Sequence, residues 1–519
     1  MFVEKMKNVL NEDYNTSITE NGAVGYKSQG SKLVNLNFAA SSMRHMSEPE
    51  IVEKFMDAYY ENNMLAMKWL FYMSDVREGL GERRSFRIIM DYLSREFENV
   101  AIEVLHLIPE YSRWDNLIVL IECNNAHIVN EVIGIIKEQF SSDLYNMSNN
   151  QSISLLGKWL PSENASSPIT KERAKTIRQC LGLTSKQYRK SLSQLRKYLN
   201  VVECKMSAKE WSQIDYSAVP SKANLNYNNA FLRNDEERRK EYLESLKKGE
   251  TKINAGVLFP HDIVHKYKVD DNGWYCYSRC NSYDETLEQL WKNLKDVGNI
   301  NNTLVVADGS GSMTSTVDNK SSTTALDVAN ALAIYCSERC NGEFKDKYIT
   351  FSMRPQLVDF SNAQSLKEKL EITSRHYEIA NTNIEAVFDL ILKTAKDNNM
   401  SQDEIPQNVL IISDMEFDYC ARYGNGRNLS TKLFKEIESR YIEAGYKLPR
   451  LVFWNVNSRT NTIPVRENDL GVALVSGFSV NTMNMVMNGE LDPYKCIIKE
   501  LNKERYAPIE IALDDVFNN

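Results

Sequence analysis

The chain has 519 residues, 42% hydrophobic and 25% charged, which suits a soluble globular protein of more than one domain. Its net charge of −8 argues against a protein that coats nucleic acid along its whole length. No run approaches about 18 apolar residues, and the opening MFVEKMKNVLNEDYN lacks the basic start and apolar core of a signal peptide. No membrane association is expected. Nine scattered cysteines fit reduced thiols in a cytoplasmic setting.

Residues 1–45 are polar and without period, and read as an N-terminal arm. Ser47 followed by Glu50 then forms a capping-box signature, with Ile51, Phe55 and Tyr59 at helical spacing behind it. Further helical patterns run over 99–108, 114–122, 126–140, 152–160, 170–181, 185–199 and 234–247. Gly79 and Gly81 mark a tight turn between two helices. No strand alternation precedes residue 300, so 46–295 is predicted to be an α-helical, HEAT-like array of paired helices.

Beyond 300 the pattern changes. NTLVVAD, KYITFS, QLVDF, QNVLIISD, PRLVFWNVN and GVALVSGFS read as strands. TTALDVANALAIYCSERC, NIEAVFDLILKTAKDN and TKLFKEIESRYIEAG between them read as helices. Such alternation predicts a doubly wound, Rossmann-like parallel sheet over 296–519. The fold class expected is therefore multidomain, α followed by α/β.

In such sheets ligands lie beyond the carboxyl ends of the strands. There the first predicted strand ends in Asp308, within LVVADGSGSM. A phosphate-binding P-loop needs a lysine after its glycines, and none occurs before Lys320. A phosphatase using Asp308 as nucleophile needs an acid two residues on, where Ser310 stands. D-x-S-x-S as a simple turn is the plain alternative. As a cage, it turns the Asp308 carboxylate and the Ser310 and Ser312 hydroxyls toward one hard cation such as Mg²⁺, Mn²⁺ or Ca²⁺. Thr382, just before a predicted helix, and Asp414, at the end of a later strand, are candidates to complete it. Five protein oxygens leave one of about six positions open for a partner's carboxylate or a phosphate. No histidine stands near these loops as a general base, so the site suits ligation and the protein is expected to be non-enzymatic.

Charge divides unevenly. Lys158, Lys171, Arg173, Lys175, Arg178, Lys186, Arg189, Lys190, Arg196, Lys197 and Lys205 face only Glu163, Glu172 and Glu203 between 158 and 205. From 301 onward acidic residues outnumber basic ones. On a helical wheel Tyr188, Leu192, Leu195 and Leu199 share one face. Lys186, Arg189, Lys190, Arg196 and Lys197 gather beside it. A solvated helix face or a phosphate-binding stripe both fit, and Arg77, Arg83 and Arg84 stand under the same alternatives. Tyr188, Tyr198 and Trp211 interleave as candidate stacking residues. His261, His265, Cys276 and Cys280 give an H-x₃-H and C-x₃-C pair, in an order unusual for zinc. No nucleophile elbow, dinucleotide fingerprint or zincin motif occurs.

Asp308, Ser310, Ser312, Thr382 and Asp414 resemble the metal-ion-dependent adhesion site of von Willebrand factor A domains, although Ala380 and Asn381 stand where that family carries paired glycines. MKWLFYMSDVREGLGERRSFR, IPEYSRWDNLIVL, KWLPSE, YRKSLSQLRKYLNVVECKMSAKEWSQIDYSAVPSKA and AFLRNDEERRKEYLESLKKGETKINAGVLFPHDIV resemble a domain-of-unknown-function family found in plants, fungi, large viruses and phages. That family is similar to the Ro ribonucleoprotein, a TROVE module followed by a von Willebrand A domain. The signature carrying this is Arg77, Gly79, Gly81, Glu82 and Arg83. The resemblance implies a helical module that binds RNA, with a magnesium-type site in the second domain. A metal-dependent protein-interaction scaffold without RNA is the alternative.

Overall fold

The computed structural model describes residues 3, 5–7, 14–268, 282–298, 300–318, 321–352, 354–376, 381–418, 433–465, 470–483, 485 and 492–518. Backbone contacts group Met1–Leu65 with Val257–Asn502, and Ala66–Gly256 with Lys503–Asn519. The composition-based divisions at 45 and 295 do not coincide with these units. The reason is visible in the arm: its polar sequence hides a helix, Lys32–Phe38, whose Leu33, Val34, Leu36 and Phe38 are all buried in the unit that holds the sheet.

The second unit is helical. Its longer helices are Arg84–Glu96, Ala126–Ser148, Pro168–Cys180, Ser185–Tyr198, Ser221–Asn234 and Glu236–Lys247. The Gly79/Gly81 turn is present between helices Asn63–Ser74 and Arg84–Glu96. A Cβ on Gly79 would stand 1.9 Å from the Tyr72 carbonyl oxygen, and Gly81 has φ +67°. The loop folds back on the helix end, where Leu80 N and Glu82 N donate to the Tyr72 and Met73 carbonyls at 3.1 and 2.8 Å. The C-terminal segment closes this unit. Arg505 grips the buried Asp75 carboxylate through Nε and Nη2, the latter at 2.8 Å, and Tyr506 stacks on Tyr111 at 5.8 Å between centroids.

The first unit holds six strands: β3 Thr303–Asp308, β4 Lys347–Phe351, β5 Gln356–Asp359, β6 Asn408–Ser413, β7 Arg450–Asn455 and β8 Val472–Ser476. All six were expected. They lie in the order β5-β4-β3-β6-β7-β8, parallel except for the antiparallel edge strand β5. Val306 pairs with Ile349 on one side and Ile411 on the other, and Ile411 with Phe453. β3, β7 and β8 are buried along their whole length, as near-continuous Val/Leu/Ala runs in a covered parallel sheet must be. Helix Ala325–Ser337, between β3 and β4, is buried at every position and opens on a Thr324/Asp327 capping box. β4 and β5 lie on one side of β3 and the later strands β6, β7 and β8 on the other, so strand order reverses between β3 and β6. Among the described residues no helix is long and apolar enough to cross a membrane.

Two short strands before residue 300 depart from the sequence expectation. They are β1 Thr16–Ile18 and β2 Val24–Tyr26, an antiparallel hairpin of the first unit. Three residues per strand are too few for alternation to register, and the Asn21-Gly22 turn was the one available sign. In the helical unit, Asp75→Ala strands Arg505 without its buried partner and should lower stability by about 3 kcal/mol. A urea unfolding midpoint unchanged from that of the natural chain would contradict this.

Candidate functional site

Asp308 ends β3, and Asp414 directly follows β6, at the place where strand order reverses. Both side chains are fully buried. The turn after β3 is shaped by Asp308 itself, whose Oδ1 accepts the Ser310 amide at 2.9 Å. Gly309 N prolongs the sheet ladder to the Phe351 carbonyl at 2.8 Å. The Ser310 and Ser312 hydroxyl oxygens then lie 3.1 Å apart. Ser413, the last residue of β6, donates its hydroxyl to Asp308 Oδ2 at 2.6 Å. The second loop turns at Met415, with φ +64°, and Glu416 N donates to Asp414 Oδ1 at 3.2 Å.

Burial, then repulsion from Asp414, pushes the Asp308 carboxyl up to about 7 against hydrogen bonds from Ser310 and Ser413. Burial raises Asp414 to about 6, opposed by the Arg459 guanidinium and by hydrogen bonds from the Ser312 hydroxyl and the Glu416 amide. Asp414 Oδ2 has no hydrogen-bond donor among the described residues, and Arg459 Nη2 stands 3.3 Å from it. Ser352 Oγ, just beyond β4, and Asn457 Oδ1, just beyond β7, are likewise buried without a partner among the described residues. Electron-rich oxygens thus stand at four strand ends, and the Arg459 guanidinium is the cation paired with one of them among the described residues. The donor set is carboxylate, hydroxyl and amide oxygen, and no group of three or more His, Cys, Asp or Glu side chains suited to a metal occurs among the described residues. Such a set fits a hard cation such as Mg²⁺ and does not fit zinc.

Thr382 is reached less directly. It is buried, its carbonyl accepts Asp418 N at 3.0 Å, and its hydroxyl accepts Asn21 Nδ2 at 3.1 Å. Asp308, Ser310, Ser312 and Asp414 therefore form one linked group, and Thr382 joins it through the loop after Asp414. Ala380 lies outside the described residues. Sequence reasoning missed Ser413, Glu416, Arg459 and the hairpin residues Glu20 and Asn21. The position of Arg459 in the loop after β7 was the available signal, since that loop also leaves a strand at its carboxyl end.

The basic region of the helical unit divides into two kinds of residue. Tyr188, Leu192 and Leu195 are buried, as the wheel required, and Leu199, the residue that caps the helix, is half-buried; Tyr188 donates to the Pro161 carbonyl, so it is no stacking surface. Arg196 turns inward and donates to the Gly157 and Leu160 carbonyls and to Ser162, a structural role that removes it from the stripe. Arg173 forks onto Glu122 at 2.8 and 2.9 Å, and Arg178 pairs with Glu163 at 2.8 Å. Arg77 donates to the Glu110 carbonyl, Arg83 lies 3.8 Å from Asp115, and Arg84 is exposed. Lys171, Lys175, Lys186, Arg189, Lys190 and Lys197 are exposed and make no ion pair among the described residues.

Of the zinc alternative, Cys276 and Cys280 lie outside the described residues. His261 stacks on Phe259, while His265 Nε2 meets Ser322 Oγ at 3.1 Å and Nδ1 lies 3.4 Å from Asp327. This hydroxyl–imidazole–carboxylate row lacks an orienting bond. His265 Nδ1 has no hydrogen-bond partner among the described residues, and Asp327 Oδ2 already receives Thr324 N at 3.0 Å and Lys268 Nζ at 3.3 Å.

Residues 302–509 match a family described as a domain of unknown function, DUF7788, and residues 164–302 match another, DUF2828. The two matches meet where the helical pattern of the sequence gives way to the strand pattern. The chain is also similar to the uncharacterized protein L728 of Acanthamoeba polyphaga mimivirus, 29% identical over 542 aligned positions that cover 97% of this chain and 90% of the viral protein.

A pH dependence follows from the buried pair. A carboxyl whose folded pKa is raised favours folding below its ordinary value near 4 and loses that contribution as pH climbs through about 7. With chelator present, unfolding free energy should fall between pH 5 and 8, and Asp308→Asn should remove on the order of 3 kcal/mol of that fall. Parallel pH profiles for the two proteins would contradict this origin of the slope.

Proposed function

We propose that the α/β unit is a von Willebrand A-type binding module that holds a divalent cation on Asp308, Ser310, Ser312 and Asp414, with Thr382 behind them. The observation that carries this reading is the pair of buried carboxylates at the reversal of strand order, one with an oxygen that has no hydrogen-bond donor among the described residues. When bound, the cation supplies an open coordination position for a carboxylate or phosphate of a partner. The chain's own residues orient the oxygens and exclude water, and no histidine stands beside them among the described residues to act as a general base, which favours binding over turnover. Mn²⁺ titration followed by electron paramagnetic resonance tests this. One site per chain is expected, lost in Asp308→Ala and Asp414→Ala. Undiminished binding in both variants would refute the assignment.

A second reading is favoured by the six exposed Lys and Arg side chains on and beside helix Ser185–Tyr198 that make no ion pair among the described residues. In this reading the helical unit, HEAT-like and similar to the Ro ribonucleoprotein, binds RNA. Removing a cationic side chain that meets a phosphate weakens binding and flattens its salt dependence. Charge reversal at Arg189, Lys190 and Lys197, sparing the structural Arg196, should reduce affinity for a single-stranded oligouridine by about tenfold or more. Unchanged affinity and salt slope would leave those side chains as a solvated helix face.

A further inference from the structure

The hairpin formed by β1 and β2 is built against the candidate cation site. Its stem extends a ladder with the segment after β7: Tyr26 N donates to the Ile463 carbonyl and Ile463 N to the Tyr26 carbonyl, both at 2.8 Å. A Cβ on Gly25 would lie 2.6 Å from that Ile463 oxygen, so the approach tolerates only glycine. At the tip, Thr19 Oγ1 donates to the Phe417 carbonyl at 2.6 Å, and Glu20 N to the buried Glu416 Oε2 at 2.8 Å. Asn21 Nδ2 reaches both the Thr382 hydroxyl, at 3.1 Å, and the Glu416 carbonyl, at 2.5 Å.

The Glu20 side chain makes the most telling contact. Its Oε2 lies 2.7 Å from Arg459 Nε, while Nη2 of the same guanidinium stands 3.3 Å from Asp414 Oδ2. One arginine therefore spans a carboxylate that belongs to the site and a carboxylate carried in from outside it. Glu20 is half exposed, at 49%, whereas Asp414 is sealed. A single half-exposed ion pair is weakly held, so the Glu20 end of the tip is loosely fastened, whereas Val24 and Tyr26 of the stem are buried. The Glu416 carboxylate, by contrast, is fixed from beneath by the Arg459 and Thr460 amides at 2.8 and 2.9 Å, so the slot keeps its shape when the tip leaves.

We propose that Arg459 reads the carboxylate of a protein ligand at the cation site, and that the hairpin tip with Glu20 is the internal occupant which that ligand displaces. The inference rests on the cation-binding reading above. A cation on Asp414 satisfies that carboxylate and leaves the guanidinium for the incoming one, to which a planar fork is suited. The ligand matched to the slot is an acidic turn of a partner protein, with a carboxylate for Arg459 and a neighbouring amide for Thr382. Self-occupancy lowers the apparent affinity for such a ligand by the fraction of molecules in which the tip is seated.

The test uses the full chain, saturating Mn²⁺ and a fluorescent peptide spanning Tyr14–Tyr26, read by anisotropy, with the same peptide carrying Glu20→Gln as control. Gly25→Val, which unseats the stem, and Glu20→Gln with Asn21→Ala, which releases the tip, should each bind the peptide about tenfold or more tighter than the natural chain. Adding Arg459→Ala to Gly25→Val should abolish binding, Arg459→Lys should restore part of it, and the control peptide should not bind. Equal peptide affinity in the natural chain and both hairpin variants, or indifference to Arg459→Ala, overturns the proposal. Mn²⁺ binding is measured on the same samples. Its absence from every protein defeats the cation reading and this inference with it, whereas Mn²⁺ binding without the affinity gain defeats this inference alone.

Discussion

Two carboxylates buried side by side are the constraint around which the α/β unit is arranged. Asp308 and Asp414 leave adjacent parallel strands at the same end, and neither can be moved without breaking the register that pairs Val306 with Ile411. Isolated in a low-dielectric interior, such a pair is strongly unfavourable while ionised. The surrounding residues meet this with hydroxyls from Ser310, Ser312 and Ser413, with backbone amides, and with one guanidinium. These soften the repulsion without cancelling it, and both carboxyls remain raised. The proposed cation would meet this residual repulsion between the two carboxyls.

The same constraint gives the N-terminal segment its place. Glu416 is held by the loop after β7 and by the Glu20 amide, and Arg459 faces both Glu20 and Asp414. Local charge balance at the mouth of the site therefore depends on residues far apart in the chain. In the helical unit the closing contacts are of another kind. Arg505 on the buried Asp75 and Tyr506 on Tyr111 join the last residues to the turn at Gly79 and Gly81. That turn carries the signature on which the Ro resemblance rests, and its glycines also have backbone reasons: Gly79 lies against the Tyr72 carbonyl and Gly81 has φ +67°.

Much of the sheet was legible because a buried parallel strand must be an apolar, β-branched-rich run between turns, and five such runs were present, with QLVDF the antiparallel edge strand beside them. The turn after β3 was legible for a related reason: Asp, Ser and Ser at alternate positions after a strand bring two hydroxyls beside a strand-end carboxylate, as found. Helix Ser185–Tyr198 showed its buried face correctly, yet the wheel could not tell that Arg196 would turn to the Gly157 and Leu160 carbonyls while Lys197 stayed in solvent. A wheel gives angle, and the reach of a long side chain to a neighbouring backbone is set by tertiary packing. The hairpin and the helix Lys32–Phe38 were missed because short elements stabilised by distant partners leave almost no local pattern. Arg459, Glu20 and Asn21 belong to the same class: their roles exist only once separate loops are brought together.

The central claim is that the buried acid pair holds a divalent cation. Crystals of the full chain grown with Mn²⁺, with data collected at the manganese absorption edge, test it most directly. The account predicts a single anomalous peak between Asp308 and Asp414, at about 2.1–2.3 Å from their oxygens and within reach of the Ser310 and Ser312 hydroxyls. A peak located elsewhere, or an intact Arg459–Asp414 contact with no metal at saturating Mn²⁺, would contradict it.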